Sequence, residues 1–534
     1  MTVSSAVRPL LCEQAPHAQG NFLEVPGGST DGDPRTRIRS GTGSSVGGRS
    51  RRGSTVSSVE GHMLIVPEPE GDQGLSTCGL TTNLTMTILG TTVLGIAAQM
   101  KSGGWLLTPV LVCLMATVVA EMTRLVSMTI NHLRESLALE VFAYQDFAEG
   151  SLGEWGRRWA SVTSTGDLIV YTFIALVLEA QSFQVLFPIS WPWFGQEGNG
   201  SKWWAVFLSL STVVYSFVDL ASLARFASKI GPWISSTMVF LACLGSLQDL
   251  QQLPEVPESC RGSAEAPYWT LWPASVGVGD FLFDVASISS YTMFCFAVVV
   301  MVPSVQSTMK EPARLGSAGW KAFVIASAAF LSIMALQYAG TGNLGPENLI
   351  QGMRDERPAG WWAATRPWET GKSTLVSQLF AMVTTLNLIM CDATYVPCAV
   401  IAIETLAAVP VARGGWPVQV SIRLGFAIVR LSVATGVSSF IALSSLTSAL
   451  FCVSNNILIP ILAFHATVGR QRIGLARSTL HAVIFLFGCF IAIFGTAKAL
   501  TNLLYPSTSQ GAPPGLLPRP GVSPECLVLA QGEL

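Results

Sequence analysis

Long apolar stretches alternate with short polar ones from residue 79 onwards. A helix needs about 20 mostly apolar residues to cross the hydrocarbon core of a bilayer, and by that measure the pattern predicts about eleven membrane spans. The predicted spans lie at 79–100, 105–130, 161–187, 203–222, 231–248, 276–303, 319–339, 374–406, 422–440, 443–465 and 478–503.

The first span carries small and polar residues at its centre. Residues 83–105 read NLTMTILGTTVLGIAAQMKSGGW, with Gly90, Thr91, Thr92 and Gly95 in the middle. Small residues let two helices pack closely, so close packing is one interpretation. The other is an interrupted helix, whose freed backbone groups are stable only beside a polar cavity. The ends of the two half-helices would then attract the carboxylate and the amino group of a zwitterion.

The sixth span favours the second interpretation. It lies within GVGDFLFDVASISSYTMFCFAVVVMVPSVQ at 277–306, which is longer than one crossing requires. Asp280 and Asp284 are followed by a run of polar side chains from Ser287 to Thr292. The first and sixth spans would hold equivalent positions in two five-helix halves. Interrupted segments at matching positions of two repeats indicate the binding site of a transporter.

Composition agrees with a membrane protein. Half of the residues are apolar and only 12% are charged, with a mean hydropathy of +0.48, whereas soluble domains carry about 25% charged residues. The net charge of −2 carries no information about partners, and the lack of a basic stripe argues against nucleic acid. The sequence contains no HExxH motif and no carboxylate pair at metal spacing. We therefore expect no enzyme, no bound metal and no other cofactor.

The basic residues predict the orientation, because cytoplasmic loops collect Lys and Arg. The amino-terminal tail and alternate loops are basic. We therefore expect a disordered cytoplasmic tail at 1–77, a transmembrane domain at 78–503, and a Pro-rich extracellular or lumenal tail at 504–534. Asn199 begins an N-glycosylation sequon in an outer loop. Ser54, in RRGS, is a candidate site for a basophilic kinase.

Several passages of the chain resemble the amino acid/auxin permease family. Asn83, Gly90 and Gly95 match the family's first helix, and FCFAVVVMVPSVQSTMKEPARL at 294–315 is similar to its passage from helix six into a cytoplasmic loop. The other similar passages are the turn at Gly104-Trp105, the loop at 144–159, Asn348-Leu349-Ile350 after helix seven and Val396-Pro397 in helix eight.

The resemblance implies an all-α fold, with a five-plus-five inverted repeat and an eleventh helix. It implies secondary active transport of amino acids by alternating access, coupled to H⁺ or Na⁺. The implied substrate site, between helices one and six, consists of Gly90, Thr91, Thr92, Val93, Phe296, Ala297, Val298 and Val299. Val298 and Val299 replace the family's usual Gly-His pair. This change points to a small or unusual substrate, or to a protein that binds without transporting.

Charged residues at membrane depth are costly and usually functional. Asp392, well inside the eighth span, is our preferred proton or cation site, and an ion pair with Arg430 of the ninth span is the alternative. Glu179 is a candidate gate, and Asp167 is expected near a span end. Sodium-driven members of the resembled family bind the ion between helices one and eight. The ion-coupling candidates are Asn83, Asp284, Thr384, Thr385, Asn387, Asp392 and Thr394.

The sequence leaves two other functions open. A transport-inactive amino acid sensor would keep the same fold and binding pocket. A channel, the weaker alternative, would conduct far faster than a carrier. The membrane is expected to be the plasma membrane or a vacuolar or lysosomal membrane.

Overall fold

The structure is a computed structural model. It describes residues 76–189, 191, 200–217, 220–252, 269–273, 277–344, 348–350, 375–406, 411–437, 439–468 and 474–504. Asn199, Ser54 and nearly all of the two predicted tails lie outside these residues. Within them, all regular secondary structure is helical, as the apolar pattern predicts.

The helices follow the predicted spans in order. They are α1 Thr77–Leu89, α2 Val93–Ile96, α3 Met100–Leu137, α4 Tyr144–Leu186, α5 Gly200–Tyr215, α6 Leu220–Gln252, α7 Val278–Cys295, α8 Val302–Ser307, α9 Leu315–Thr341, α10 Leu375–Leu406, α11 Val411–Gly436, α12 Phe440–Thr447, α13 Ile459–Val468, α14 Leu475–Phe490 and α15 Thr496–Leu504. Two π-helical segments join α12 to α13, and a third joins α14 to α15.

Each of the eleven predicted spans is helical over most of its length. By length and apolarity, 9 helical stretches of the described chain can cross a membrane. The first predicted span is not counted separately because its helix is interrupted, and α5 is only 16 residues long. The boundary between the ninth and tenth spans lies between Gly436 and Phe440.

A glycine makes the turn from the first span into the second. Gly104 has φ of +66°, a conformation that L side chains rarely adopt, and a Cβ there would lie 2.6 Å from the Thr270 carbonyl oxygen. The next residue, Trp105, donates its N–H to that carbonyl at 3.0 Å. The turn predicted at Gly104-Trp105 is confirmed.

The passage at 144–159 is helical, so the prediction of a loop there is wrong. The Asp146 carboxylate accepts a hydrogen bond from the Ala143 N–H at 3.1 Å and caps the start of α4. Gly153, at φ of +72°, then turns the chain into the membrane-spanning part of α4. Ion pairs such as Arg157–Glu149, at 2.9 Å, cover the exposed face. The polar composition reflects a helix at the surface of the bundle.

One large apolar core joins the interrupted spans to their neighbours. It includes α1 and α2, the inner faces of α3, α7 and α9, and the tenth span. A smaller core joins α4, α10 and α11 through Phe173, Val396, Val400 and Phe426. Large apolar side chains also cover the outside of the helices, among them Leu106, Val110, Phe240, Val324 and Leu486. Such a continuous exposed apolar surface is suited to lipid.

Candidate functional site

The first span is interrupted between α1 and α2. Gly90, with φ of −52° and ψ of −121°, ends the helical geometry. Hydrogen bonding resumes through tight turns, in which the Leu94 N–H donates to the Thr91 carbonyl at 3.2 Å. Residues 90–93 are buried. The helix is therefore broken deep inside the bundle, where the sequence predicted it.

The sixth span is interrupted between α7 and α8. Phe296 (φ −102°, ψ 16°) and Val298 (φ −118°, ψ −5°) leave helical geometry. The Val298 N–H donates to the Phe296 carbonyl at 2.8 Å in a three-residue turn. Phe296, Val298 and Val299 are buried and Ala297 is half-buried. The two valines that replace Gly-His thus do not keep the helix continuous.

An asparagine of the tenth span accepts a hydrogen bond from one backbone N–H group at this break. The Val299 N–H donates to the Asn456 Oδ1 at 3.1 Å. Asn456 lies in the π-helical segment Ser454–Leu458, and π-helical turns occur frequently at functional sites. Neighbouring Asn455 accepts a hydrogen bond from the Thr163 hydroxyl at 2.6 Å. Neither asparagine was predicted as a site residue, because the sequence marks them only as an Asn pair inside an apolar span.

Two tyrosines connect the interruptions to the surrounding helices. The Tyr171 hydroxyl of α4 lies 3.2 Å from the Thr91 Oγ1. From α7, the Tyr291 hydroxyl donates to the Thr92 carbonyl at 3.4 Å. The first and sixth spans therefore meet at the level of the first break, beside α4.

Aromatic rings surround this meeting point. Tyr171 lies 4.7 Å from Tyr395 and 6.2 Å from Phe294, measured between ring centroids. Tyr291 lies 6.1 Å from Phe440. Among these rings, the hydroxyl groups of Tyr171 and Tyr291 are the polar groups that contact residues of the first break.

Loops close the site on the side predicted to be outer. The Thr270 N–H donates to the Tyr338 hydroxyl, and the Trp269 indole N–H donates to the Tyr338 carbonyl, both at 2.9 Å. After α9, the Leu349 N–H donates to the Leu94 carbonyl at 2.8 Å. The predicted Asn348-Leu349-Ile350 passage is therefore a buried segment packed on the second half of the first span.

Hydrogen bonds also close the opposite side. The Ser304 hydroxyl of α8 donates to the Phe142 carbonyl at 2.9 Å, and the Gln306 amide donates to the Asn131 Oδ1 at 2.8 Å. The two residues of α8 are thereby bound to α3 and to the segment that follows it.

A buried ion pair lies behind the site. Arg430 of α11 is 0% exposed and forms an ion pair with the Asp392 Oδ2 of α10, which is 1% exposed. The guanidinium also donates to the Thr172 carbonyl at 2.8 Å and to the Thr212 Oγ1 at 2.7 Å. The ion pair predicted as the alternative role of Asp392 is confirmed. Whether Asp392 also couples ion movement stays a prediction.

Glu179 of α4 is the third member of this group, which we call the buried charge cluster: Glu179, Asp392 and Arg430. Glu179 is 0% exposed, and neither of its carboxylate oxygens receives a hydrogen bond from a donor group among the described residues. Its charge interacts with those of Asp392 and Arg430. The sequence placed Glu179 at a gate. In the structure it lies against the ion pair, between α4, α10 and α11.

The sodium candidates have different surroundings. Asn83 precedes Gly90 by seven residues, about 10 Å of helix rise. The Thr394 hydroxyl donates to the Met390 carbonyl of its own helix at 2.9 Å. Thr385 and Asn387 are buried on α10. Ion binding by these four side chains stays a prediction.

Two further acids lie at different depths. Asp284 is half-buried on α7, and its charge interacts with that of Lys498 on α15. Asp284 precedes Phe296 by twelve residues, about 18 Å of helix rise, so it does not belong to the break. Asp167 accepts a hydrogen bond at 3.2 Å from the thiol of Cys452, halfway along the tenth span. The prediction that Asp167 lies near a span end is therefore wrong.

Comparisons with solved structures give distant likenesses. Mhp1 in an inward-facing conformation is 15% identical, with a TM-score of 0.47, and the match covers 82% of this chain and 91% of that one. A manganese transporter of Eremococcus coleocola, in complex with an aromatic bis-isothiourea compound, is 13% identical, with a TM-score of 0.45 and coverage of 89% and 94%. The search of curated proteins found no match.

The match to a protein family covers most of the chain. The model of the family described as transmembrane amino acid transporter protein matches residues 73–501, which contain every predicted span except the last two residues of the final one. This match agrees with the resemblance drawn from the first and sixth spans. The chain therefore belongs to the transmembrane amino acid transporter family, and it is a multi-pass integral membrane transporter rather than an enzyme.

Proposed function

We propose that this protein carries amino acids across a membrane by alternating access, coupled to H⁺ or Na⁺. The observation that supports the proposal best is the pair of interruptions at Gly90–Val93 and Phe296–Val299, which lie in the first and sixth spans. Discontinuous helices at the corresponding positions of two repeats are the usual construction of a midplane substrate site.

The proposed site recognises the two charges shared by all amino acids. The N–H groups of residues 91–93 begin the second half of the first span, and the amino end of a helix favours a carboxylate. The carbonyl groups at the carboxyl end of α7, near Phe296 and Ala297, favour the ammonium group. Tyr171 and Tyr291 would orient the backbone that binds the carboxylate.

Alternating access would proceed by breaking one set of closing contacts at a time. Loss of the hydrogen bonds to Tyr338 would open the site on one side, and loss of those from Ser304 and Gln306 would open it on the other. Each set consists of a few hydrogen bonds, each with a net value of about 0.5–1.5 kcal/mol. Differences of that size are within the reach of substrate or ion binding.

Uptake of individual labelled amino acids into vesicles that contain the purified protein tests the proposal. We expect saturable uptake of at least one amino acid, and a Thr91→Val variant should raise the substrate concentration needed for half-maximal uptake about tenfold. Ser332→Ala provides the control, because the Ser332 hydroxyl is exposed and donates to the Ala328 carbonyl of its own helix. Equal effects of the two variants would contradict the placement of the site at the first break.

One observation favours the sensor as a second candidate. The Val299 N–H is already bonded to Asn456, and Phe296 packs on Phe323 and Phe330 at centroid distances of 6.0 and 5.5 Å. A sixth-span break stabilised in this way could bind an amino acid and yet resist opening. Saturable binding without uptake would support the sensor and reject the carrier.

A further inference from the structure

We propose that Glu179 and Asp392 share one transported proton, and that this carboxyl pair is the proton-coupling site of the protein. The inference rests on the proposed carrier function and assigns its coupling ion. The buried charge cluster contains two carboxyl groups but only one guanidinium group. With both acids ionised, the cluster would carry one uncompensated negative charge at membrane depth, which is costly.

The hydrogen bonds locate the proton. All three kinds of nitrogen of Arg430 are engaged: Nε with the Thr172 carbonyl, Nη1 with the Thr212 hydroxyl and Nη2 with the Asp392 Oδ2. The remaining carboxyl oxygens, Asp392 Oδ1 and both oxygens of Glu179, are buried and receive no hydrogen bond from a donor group among the described residues. The Glu179 carboxyl group faces that of Asp392. A proton on Glu179 would supply the missing donor, and Asp392 Oδ1 would supply its acceptor.

The other titratable groups around Glu179 do not supply the missing positive charge. Tyr215 lies beside the cluster, on α5, and Cys391 lies beside it on α10. Both are neutral in their ordinary protonated form. Arg430, on α11, is the cation that faces Glu179, and Asp392 already pairs with it. Binding of one proton therefore changes the net charge of the cluster from −1 to 0.

A chain of polar groups connects the cluster with the substrate site. Cys391 follows Met390 and precedes Asp392, and its thiol lies beside the Tyr171 hydroxyl. The Tyr171 hydroxyl lies 3.2 Å from the Thr91 Oγ1 at the first break. A substrate carboxylate at that break would thus change the hydrogen bonding of the Tyr171 hydroxyl. The Cys391 side chain lies between this hydroxyl and the cluster. Through this connection, proton binding at the cluster can depend on whether substrate is bound.

Glu179→Gln is the decisive variant, because glutamine keeps the shape and supplies an N–H donor but cannot release a proton. Two transport assays are compared in vesicles that contain the full-length protein. Counterflow of a labelled amino acid needs no ion gradient, whereas accumulation driven by an acidic outside needs the proton. We expect the variant to retain counterflow within about twofold and to lose at least tenfold of the pH-driven accumulation.

The matched control is Glu404→Gln, since Glu404 lies on the same helix as Asp392 but faces its own Arg423 at 3.6 Å. It should keep the pH-driven accumulation. Infrared spectroscopy supplies a readout that does not depend on transport: wild type should show the carbonyl band of a protonated carboxyl group, which Glu179→Gln removes and Glu404→Gln retains.

The outcomes separate the two proposals. A wild-type protein without counterflow, but with the carboxyl band lost in Glu179→Gln, would reject the carrier and retain the shared proton. Unchanged pH-driven accumulation in Glu179→Gln, or a band that persists in it, would overturn the proton site while leaving the carrier intact. Accumulation driven by Na⁺ and insensitive to pH would also overturn it.

Discussion

At the scale of single residues, the structure depends on close packing at Gly95 and on the hydrogen bonds of Arg430. Gly95 lies one turn after the first break, where a Cβ would come within 2.2 Å of the Tyr291 hydroxyl and 2.6 Å of the Phe440 ring. Arg430 satisfies three partners with a single buried side chain. These two residues therefore give the sharpest predictions for stability.

Gly95→Ala should destabilise the protein by about 1–3 kcal/mol, because overpacking forces neighbouring side chains to move. Its matched control is Gly425→Ala, where a Cβ would have no atom within 4 Å. That control should be neutral or stabilising by up to about 1 kcal/mol, since alanine favours helix. Thermal unfolding in detergent measures both. Equal midpoints for the two variants would show that the first and sixth spans are not packed as described.

Arg430→Met should cost about 3–5 kcal/mol, because it leaves the Asp392 charge buried without a partner. Adding Asp392→Asn should restore much of the loss, since the double variant leaves Glu179 as the acid of the cluster, and a protonated Glu179 carries no charge. The measurement is again thermal unfolding, complemented by the yield of folded protein. A double variant that is less stable than Arg430→Met alone would contradict an ion pair between these side chains.

At the scale of helices, an interruption needs partners from elsewhere in the bundle. The sixth-span break receives one from the π-helical part of the tenth span, through Asn456 and Val299. The first-span break receives Tyr171 from α4 and Tyr291 from α7. Interrupted helices persist because other spans bind the released backbone groups.

Asn456→Leu should destabilise the protein by about 1–3 kcal/mol, because it leaves the buried Val299 N–H without an acceptor. Asn456→Asp, when its carboxyl group is protonated, keeps an acceptor oxygen and a donor in place and should recover part of that loss. Hydrogen exchange of the Val299 amide, which should become faster in Asn456→Leu, checks the cause directly. Unchanged exchange at this amide would contradict the contact.

Sequence alone predicted the elements that glycine and polar residues specify locally. Gly90 and its threonines marked the first break, and Gly104 marked the turn into the second span. The helix at 144–159 was missed because its polar composition resembles that of a loop, although Asp146 and Gly153 cap and turn it. The ion pair of Asp392 with Arg430 was predicted as an alternative, because charged residues at membrane depth tend to pair. A single sequence contains no signal that places Glu179 of the third span beside this pair.

At the scale of the whole molecule, closing contacts lie at both ends of the bundle. Tyr338 binds the segment at 269–270 on one side, and Gln306 binds Asn131 on the other. Tyr338→Phe removes the hydroxyl that binds the Thr270 N–H, and Ser304→Ala removes the hydroxyl that binds the Phe142 carbonyl on the other side. Each should therefore favour opening on its own side only.

Hydrogen exchange can report on this opening. Tyr338→Phe should accelerate exchange at the Thr270 amide about 2- to 10-fold, as expected for the loss of one hydrogen bond, and leave residues 139–144 unchanged. Ser304→Ala should accelerate exchange at residues 139–144, which Ser304 contacts at Phe142, and leave Thr270 unchanged. Acceleration at both ends in either variant would indicate general unfolding and contradict independent closing contacts.

The central claim is that the first- and sixth-span breaks form one amino acid site that both sides of the membrane can reach in turn. Counterflow tests it most directly: vesicles containing the protein are loaded with an unlabelled amino acid and diluted into a trace of the labelled one. A carrier with a single alternating site accumulates the label transiently above its outside concentration, and the account predicts this for wild type. Absence of accumulation for every amino acid that binds would contradict it.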